Sequence, residues 1–162
     1  LAEGDLSEAN DSVFWKEIAI PLAPDPENPM KMTISPDGLL PGSRNAVTYY
    51  KNIKSFGNVT LVELQLETGR THQIRVHMSG IGHPLLGDTM YNPRVCLKMS
   101  NSKEKKNTEG RINNRNDCFK RAALHAWKLT FCHPFTDEII TLEAPLPDDF
   151  CRFLNANEEE KT

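Results

Sequence analysis

Residues 66–88 read LETGRTHQIRVHMSGIGHPLLGD, and within them the hydrophobic period of the chain changes from that of a strand to that of a helix. Up to Glu67 the side chains alternate. Val62, Leu64 and Leu66 share one face and Glu63, Gln65 and Glu67 the other, the period-two pattern of a half-buried strand. After Thr68-Gly69-Arg70, Ile74, Met78 and Ile81 recur at helical spacing, with Thr71 placed to cap the start and Gly80 or Gly82 to end it. The pattern predicts a short helix over residues 71–79, followed by a loop containing His83-Pro84 and Gly87-Asp88.

Outward from this stretch the strand signals dominate. Residues 44–56 are rich in β-branched and aromatic side chains and pair with 58–67 as a hairpin across Gly57-Asn58. Residues 14–20 form a strand closed by Pro21; Pro24, Pro26 and Pro29 make an extended connector; residues 30–35 form a short strand ended by Pro36-Asp37-Gly38. Downstream, Trp127, Leu129 and Phe131 share one face of a strand over 124–133, and Trp127 is expected in the core. The turn Pro134-Phe135-Thr136-Asp137 leads to a partner strand over 138–144, then a closing helix over 148–155 and an acidic tail over 156–162. The class is α+β, a mixed, largely antiparallel sheet with a few short helices. One piece over 1–155 is expected, interrupted by a basic, mobile insertion at 93–120 that is poor in apolar residues.

Composition narrows the classes. The 162 residues are 38% hydrophobic and 25% charged, a globular composition, and no apolar run reaches the roughly 18 residues of a membrane span. The chain starts at Leu1 without a basic-then-apolar leader, which reads as a cut inside a longer protein. The four cysteines, Cys96, Cys118, Cys132 and Cys151, are irregularly spaced without a C-x-x-C pair, so a zinc ribbon is disfavoured and an intracellular, reducing, cytoplasmic setting expected. The net charge of −3 hides an asymmetry: nine Lys and Arg stand against three Asp and Glu from Arg94 to Arg121, and ten against nineteen elsewhere. A local basic segment of that kind, with Lys103, Lys105, Lys106 and Arg121, suits phosphate.

The helix start carries Arg70, His72, Gln73 and Arg75. A helix N-terminus presents unpaired N–H groups and a positive dipole end, which suit an anion. Arg75 lies between Ile74 and Val76, so the base of its side chain is partly buried and its guanidinium needs a carboxylate or phosphate. Two readings stand side by side: Arg75 pairs with a scaffold carboxylate while His72 and His77 are ordinary helix residues, or the cluster faces a ligand.

Residues 68–77, TGRTHQIRVH, resemble the TGR-x-HQIR-x-H signature of RluA-type RNA pseudouridine synthases. Gly82-His83-Pro84-Leu85-Leu86-Gly87-Asp88 and then Tyr91 are similar to the family's GHP-(L/I)-x-GD-x-x-Y continuation. Ala46-Val47-Thr48-Tyr49-Tyr50 resembles its A-x-T-x-Y strand. Ala123-Leu124-His125-Ala126 and Phe131-x-His133-Pro134 resemble its ALHA and F-x-HP hairpin. The resemblance implies isomerisation of uridine to pseudouridine in ribosomal or transfer RNA without a cofactor, through an aspartate nucleophile in a His-Arg-Leu-Asp motif. It implies that the arginine of HQIR, Arg75 here, pairs with that aspartate, and that Arg70, His72 and Gln73 lie beside the RNA.

The chain also departs from the family. It has no His-Arg-Leu-Asp motif, and Arg44-Asn45 stands where many relatives have Lys before A-x-T. The aspartate and the family's active-site tyrosine are therefore expected before Leu1, leaving the fragment inactive and its sheet edge open to self-association or to the missing N-terminal half. An RNA-binding module without chemistry is the competing reading. Asp88 is expected to shape a turn, Tyr49 and Tyr50 to be strand residues, and His125 and His133 to hold the hairpin.

Overall fold

The computed structural model describes residues 1–6, 14–93 and 119–158. Its first compact unit, Leu1–Ala122, is built on an antiparallel sheet in the order β1-β6-β5-β2. The strands are β1 (Ala2–Glu3), β2 (Lys16–Ala19), β5 (Val47–Ser55) and β6 (Val59–Leu66). A second hairpin, β3 (Leu22–Pro24) with β4 (Met32–Ile34), stands where the prolines suggest a connector. Pro24 is tolerated because this is an edge strand of only two, where no further ladder needs its missing N–H.

The β5–β6 hairpin follows the alternation of its sequence. Thr48 faces Leu66, Tyr50 faces Leu64 and Asn52 faces Val62 on one side of the sheet. On the other side Lys51 pairs with Glu63 at 2.7 Å and reaches over the Trp15 ring, while Tyr49 donates from its hydroxyl to Glu67 at 2.6 Å. Gly57 closes the turn at φ 73°, a left-handed conformation that side-chain-bearing residues adopt only at a cost.

The helix α1 runs Gln73–Gly80, two residues later than expected at its start. Thr71 does not cap it. His72 occupies the cap position in the left-handed region (φ 55°) and makes no side-chain cap bond. The Gln73 side chain braces the turn before the helix instead: its Oε1 accepts from the Arg70 N–H at 2.9 Å and from the Thr68 hydroxyl at 2.8 Å.

Gln73 is also what ties the helix to the sheet. Its Nε2 donates to the Val47 carbonyl at 2.9 Å and to the Thr48 hydroxyl at 3.0 Å. Thr48 passes its own hydrogen to His77 Nδ1 at 2.9 Å, and His77 Nε2 donates to the Ile20 carbonyl at 2.8 Å. A carbonyl can only accept, so Nε2 carries a proton, and burial, which lowers the His77 pKa, favours the neutral ring. Gln73, Thr48 and His77 are all buried, and every polar atom of the three side chains has a partner. Leu22, Ala46 and Val76 form the adjoining apolar core, with Met32, Ile34 and Tyr91 packed against it. The far end of α1 meets β4 closely: a Cβ on Gly80 would lie 2.9 Å from Ile34 Cγ2.

The second unit, Ala123–Thr162, contains the hairpin β7 (Lys128–Cys132) and β8 (Ile139–Glu143) and the helix α2 (Asp148–Glu158). His133 holds the hairpin turn, its Nδ1 accepting from the Thr136 N–H at 3.2 Å, and His125 Nε2 lies 3.3 Å from the Ala144 carbonyl. Trp127 is not in a core; it is 43% exposed, and Leu129 is 58% exposed. A lone two-stranded hairpin has no third strand to cover its apolar face. Most of the basic insertion, with Lys103, Lys105 and Lys106, lies outside the described residues. No helix among the described residues is long and apolar enough to cross a membrane.

His77 gives the fold a testable dependence on pH. Burial lowers its pKa, the bond to Ile20 opposing this more weakly. The folded interior refuses a proton that the unfolded chain accepts, so stability is full above the ordinary histidine pKa of about 6.5 and declines as pH falls below it. His77→Phe, which strands Thr48 and the Ile20 carbonyl, should cost about 2–4 kcal/mol in urea unfolding at neutral pH and flatten the decline between about pH 7 and 5. A decline as steep as in the parent protein would show that another group causes it.

Candidate active site

Three segments converge beside the start of α1: the helix itself, the loop after it, and β4. The loop is anchored at both ends. Near its start the Glu3 N–H donates to the Pro84 carbonyl at 2.8 Å, and the Leu86 N–H donates to Leu1. Near its end Ser79 donates from its hydroxyl to the Tyr91 carbonyl at 2.7 Å, and Asn92 donates from its side chain to Glu3 at 2.8 Å. Gly87, at φ 66°, sits where a side chain would strike the Phe119 carbonyl, 2.7 Å from its Cβ. These restraints fix the backbone that carries Asp88.

Asp88 is fully buried, and Arg75 meets it through two parallel bonds, Nε to Oδ2 and Nη2 to Oδ1, each 2.8 Å. Oδ1 also accepts the backbone N–H groups of Met90 and Tyr91 at 3.0 Å. Burial alone would raise the carboxyl's pKa; the Arg75 fork and the two backbone donors outweigh it and lower the pKa overall. Asp88 therefore does shape a turn, and it is also the scaffold carboxylate that the buried base of Arg75 requires.

Tyr91 completes the cluster. Its ring lies under the guanidinium, with Arg75 Cζ 4.8 Å from the ring centre. Its hydroxyl accepts the Met32 N–H at 2.9 Å and lies 2.9 Å from His72 Nδ1. The hydroxyl and the imidazole share a hydrogen bond. Burial first, and then the Arg75 charge, lower the His72 pKa and favour the neutral ring. The left-handed backbone of His72 is what turns its ring towards Tyr91, a local strain of the kind found at functional sites.

Of the residues singled out in the sequence, Arg75 and His72 are brought together. Arg70 is exposed a short way along, on an open groove of about 390 Å³ that Arg44, Thr71, Leu22 and Met32 also line. Gln73 faces inward with its whole amide engaged, which corrects its assignment as an RNA contact: it has no donor or acceptor to offer a ligand. Arg121 is exposed in the described structure and its Nη1 donates to the neighbouring Ala122 carbonyl. The sequence reading missed Tyr91 and His77 as site and scaffold residues. The signal for Tyr91 was its place three residues after Asp88, close enough for one turn to bring both under Arg75.

Removing Arg75 should expose how much the carboxylate depends on it. Arg75→Met should destabilise the fold by about 3–5 kcal/mol, since it leaves a buried charge without its partner. It should also raise the Asp88 pKa, readable by NMR titration of the carboxyl. An unchanged pKa would mean that the backbone donors alone keep Asp88 ionised.

Known proteins match both the sequence and the fold. The family described as RNA pseudouridylate synthase matches residues 17–80. The ribosomal large subunit pseudouridine synthase D of Haemophilus influenzae is 47% identical over 116 residues, 72% of this chain and 34% of that protein. An uncharacterized RNA pseudouridine synthase of Bacillus subtilis, YlyB, is 41% identical over 137 residues, 85% of this chain and 37% of the relative. Among solved structures, human RNA pseudouridylate synthase domain containing 4 superposes with a TM-score of 0.68 at 25% identity, over 97% of this chain and 59% of that one. The chain thus spans little more than a third of the curated relatives it matches. With its motifs in the same order, its sequence this close and its fold shared, the chain is similar in both sequence and structure to RNA pseudouridylate synthases.

Proposed function

We propose that this chain supplies the arginine-bearing part of the catalytic centre of an enzyme that isomerises uridine to pseudouridine in RNA. The observation that carries the reading is Arg75: a cation held rigidly by Asp88 and Tyr91, one-fifth exposed, at the position the family resemblance gives to the partner of the nucleophile. The reaction breaks the N-glycosidic bond, turns the uracil and rejoins it through carbon, with no cofactor required. An ionised aspartate begins it, and a fixed guanidinium nearby keeps such a carboxylate ionised and oriented. That aspartate is contributed by a segment of the parent polypeptide outside these 162 residues, so the chain by itself is inactive.

The substrate is ribosomal or transfer RNA; the Haemophilus influenzae relative, a ribosomal large subunit pseudouridine synthase, supports the first. Arg44 and Arg70 on the open groove, His72 beside it, and the basic segment with Lys103, Lys105, Lys106 and Arg121 meet its phosphates. The exposed apolar side of β7–β8 is covered by the remainder of the parent polypeptide, and in the isolated chain by self-association. The setting is the reducing cytoplasm, consistent with the free thiols of Cys132 and Cys151.

Release of tritium from RNA carrying 5-tritiated uridine tests the assignment. The full-length enzyme should turn over, and Arg75→Lys, which keeps the charge but not the planar fork, should be slower by about a hundredfold. The purified 162-residue chain should release nothing above background. A wild-type rate in the Arg75→Lys enzyme, or release by the isolated chain, would overturn the reading.

A further inference from the structure

We propose that Asp88 is a positioning residue of the reaction: it grips Arg75 by the side edge of the guanidinium so that the end edge is aimed at the nucleophilic carboxylate. The inference rests on the assignment of Arg75 made above and adds to it the group that directs the arginine.

A guanidinium carries five N–H donors in one plane. Asp88 takes two of them, from Nε and from Nη2, which together form the side edge. Both hydrogens of Nη1 and the second hydrogen of Nη2 remain; one from each nitrogen forms the end edge, a second fork beside the first. Among the described residues Arg75 has no other hydrogen-bond or ion-pair partner; its remaining contact is the Tyr91 ring, which covers a face and leaves the edges clear. The arginine is therefore built to hold one carboxylate while presenting a second, geometrically matched pair of donors to another planar anion.

Asp88 determines that direction because it cannot itself move. It has no exposed surface, its Oδ1 is held by two backbone N–H groups in addition to Arg75, and the residue before it is a glycine pressed against the Phe119 backbone. The tyrosine that covers the guanidinium is pinned in turn by Met32 and His72. A long, rotamer-rich side chain rising from a helix would otherwise sample many directions. Here its edge and its face are both fixed.

The charge balance favours a carboxylate over an RNA phosphate at the free fork. Asp88 neutralises the arginine at 2.8 Å, so the pair exerts little long-range attraction on a polyanion. What remains is short-range and directional, which suits a group already tethered in the same protein. This is the contribution of positioning, where small displacements of a reacting group carry large rate penalties.

The experiment uses the full-length enzyme with Asp88→Asn, which keeps the shape and an acceptor but loses the matched fork; thermal unfolding and circular dichroism establish that it is folded at the assay temperature. The turnover number should fall by about tenfold or more while KM for RNA moves by less than about threefold. In an Arg75→Lys background the same substitution should cost less than about twofold further, because lysine has no second edge to aim. Full turnover by folded Asp88→Asn, beside an impaired Arg75→Lys enzyme, would overturn the positioning role and leave the Arg75 assignment standing. Additive losses in the double variant would likewise make Asp88 a structural residue only. A raised KM with a shallower salt dependence would place an RNA phosphate at the fork and overturn the inference. Wild-type turnover by Arg75→Lys would remove the assignment of Arg75 itself.

Discussion

A carboxylate with no exposed surface must have its charge and its lone pairs answered from within the protein, and Asp88 imposes that requirement on everything around it. The charge is answered by Arg75, which must then stand on the helix face turned to the loop. The lone pairs are answered by the backbone of Met90 and Tyr91, which forces the turn that carries Tyr91 under the guanidinium. Taking the pair out of water costs several kcal/mol per ion before any attraction is counted. A well-packed apolar pair would serve stability as well, so stability alone does not account for an ion pair at this position.

The polar network beneath α1 is of a different kind. Gln73, Thr48 and His77 carry no net charge in their bonded states, and each donor has one acceptor. Such a network contributes about 1 kcal/mol per bond and costs more than that when one member is lost, because its neighbours are left buried and unpaired. Its value to the site is orientation. It fixes both the rotation and the height of the helix on β5, and so fixes where Arg75 leaves the backbone.

Much of this was legible in the sequence. The alternation across residues 59–67 specified the β6 strand and the faces of its side chains, and the β5–β6 and β7–β8 hairpins lie inside the segments their turn residues bracket. The start of α1 was not legible. Thr71 is a good capping residue by type, but the cap position falls to a left-handed His72, and the first helical side chain, Gln73, is engaged by the turn before it and by acceptors on β5. Trp127 was misplaced for a related reason: periodicity reveals which side chains share a face, and says nothing of whether an element exists to cover it. Arg75 could be given a carboxylate partner in principle, yet Asp88 is thirteen residues away across a loop whose path depends on its contacts with β1.

The density of polar residues in THQIRVH reflects two stripes wound on one short helix. Positions 73 and 77, four apart, face the sheet and carry the neutral network; 72, 75 and 79, three and four apart, face the loop and carry the ion pair, the imidazole that holds Tyr91 and the hydroxyl that ties the loop's end. Val76 lies on the inward side and closes the apolar core between Leu22 and Ala46. A shift of the helix start by one residue would rotate these stripes by about 100° and bring Arg75 towards the sheet, where it has no carboxylate, and Gln73 away from its four partners. The strained backbone of His72 prevents that shift. By ending the preceding turn abruptly, it sets the register in which the inward stripe is satisfied and the outward one is aimed.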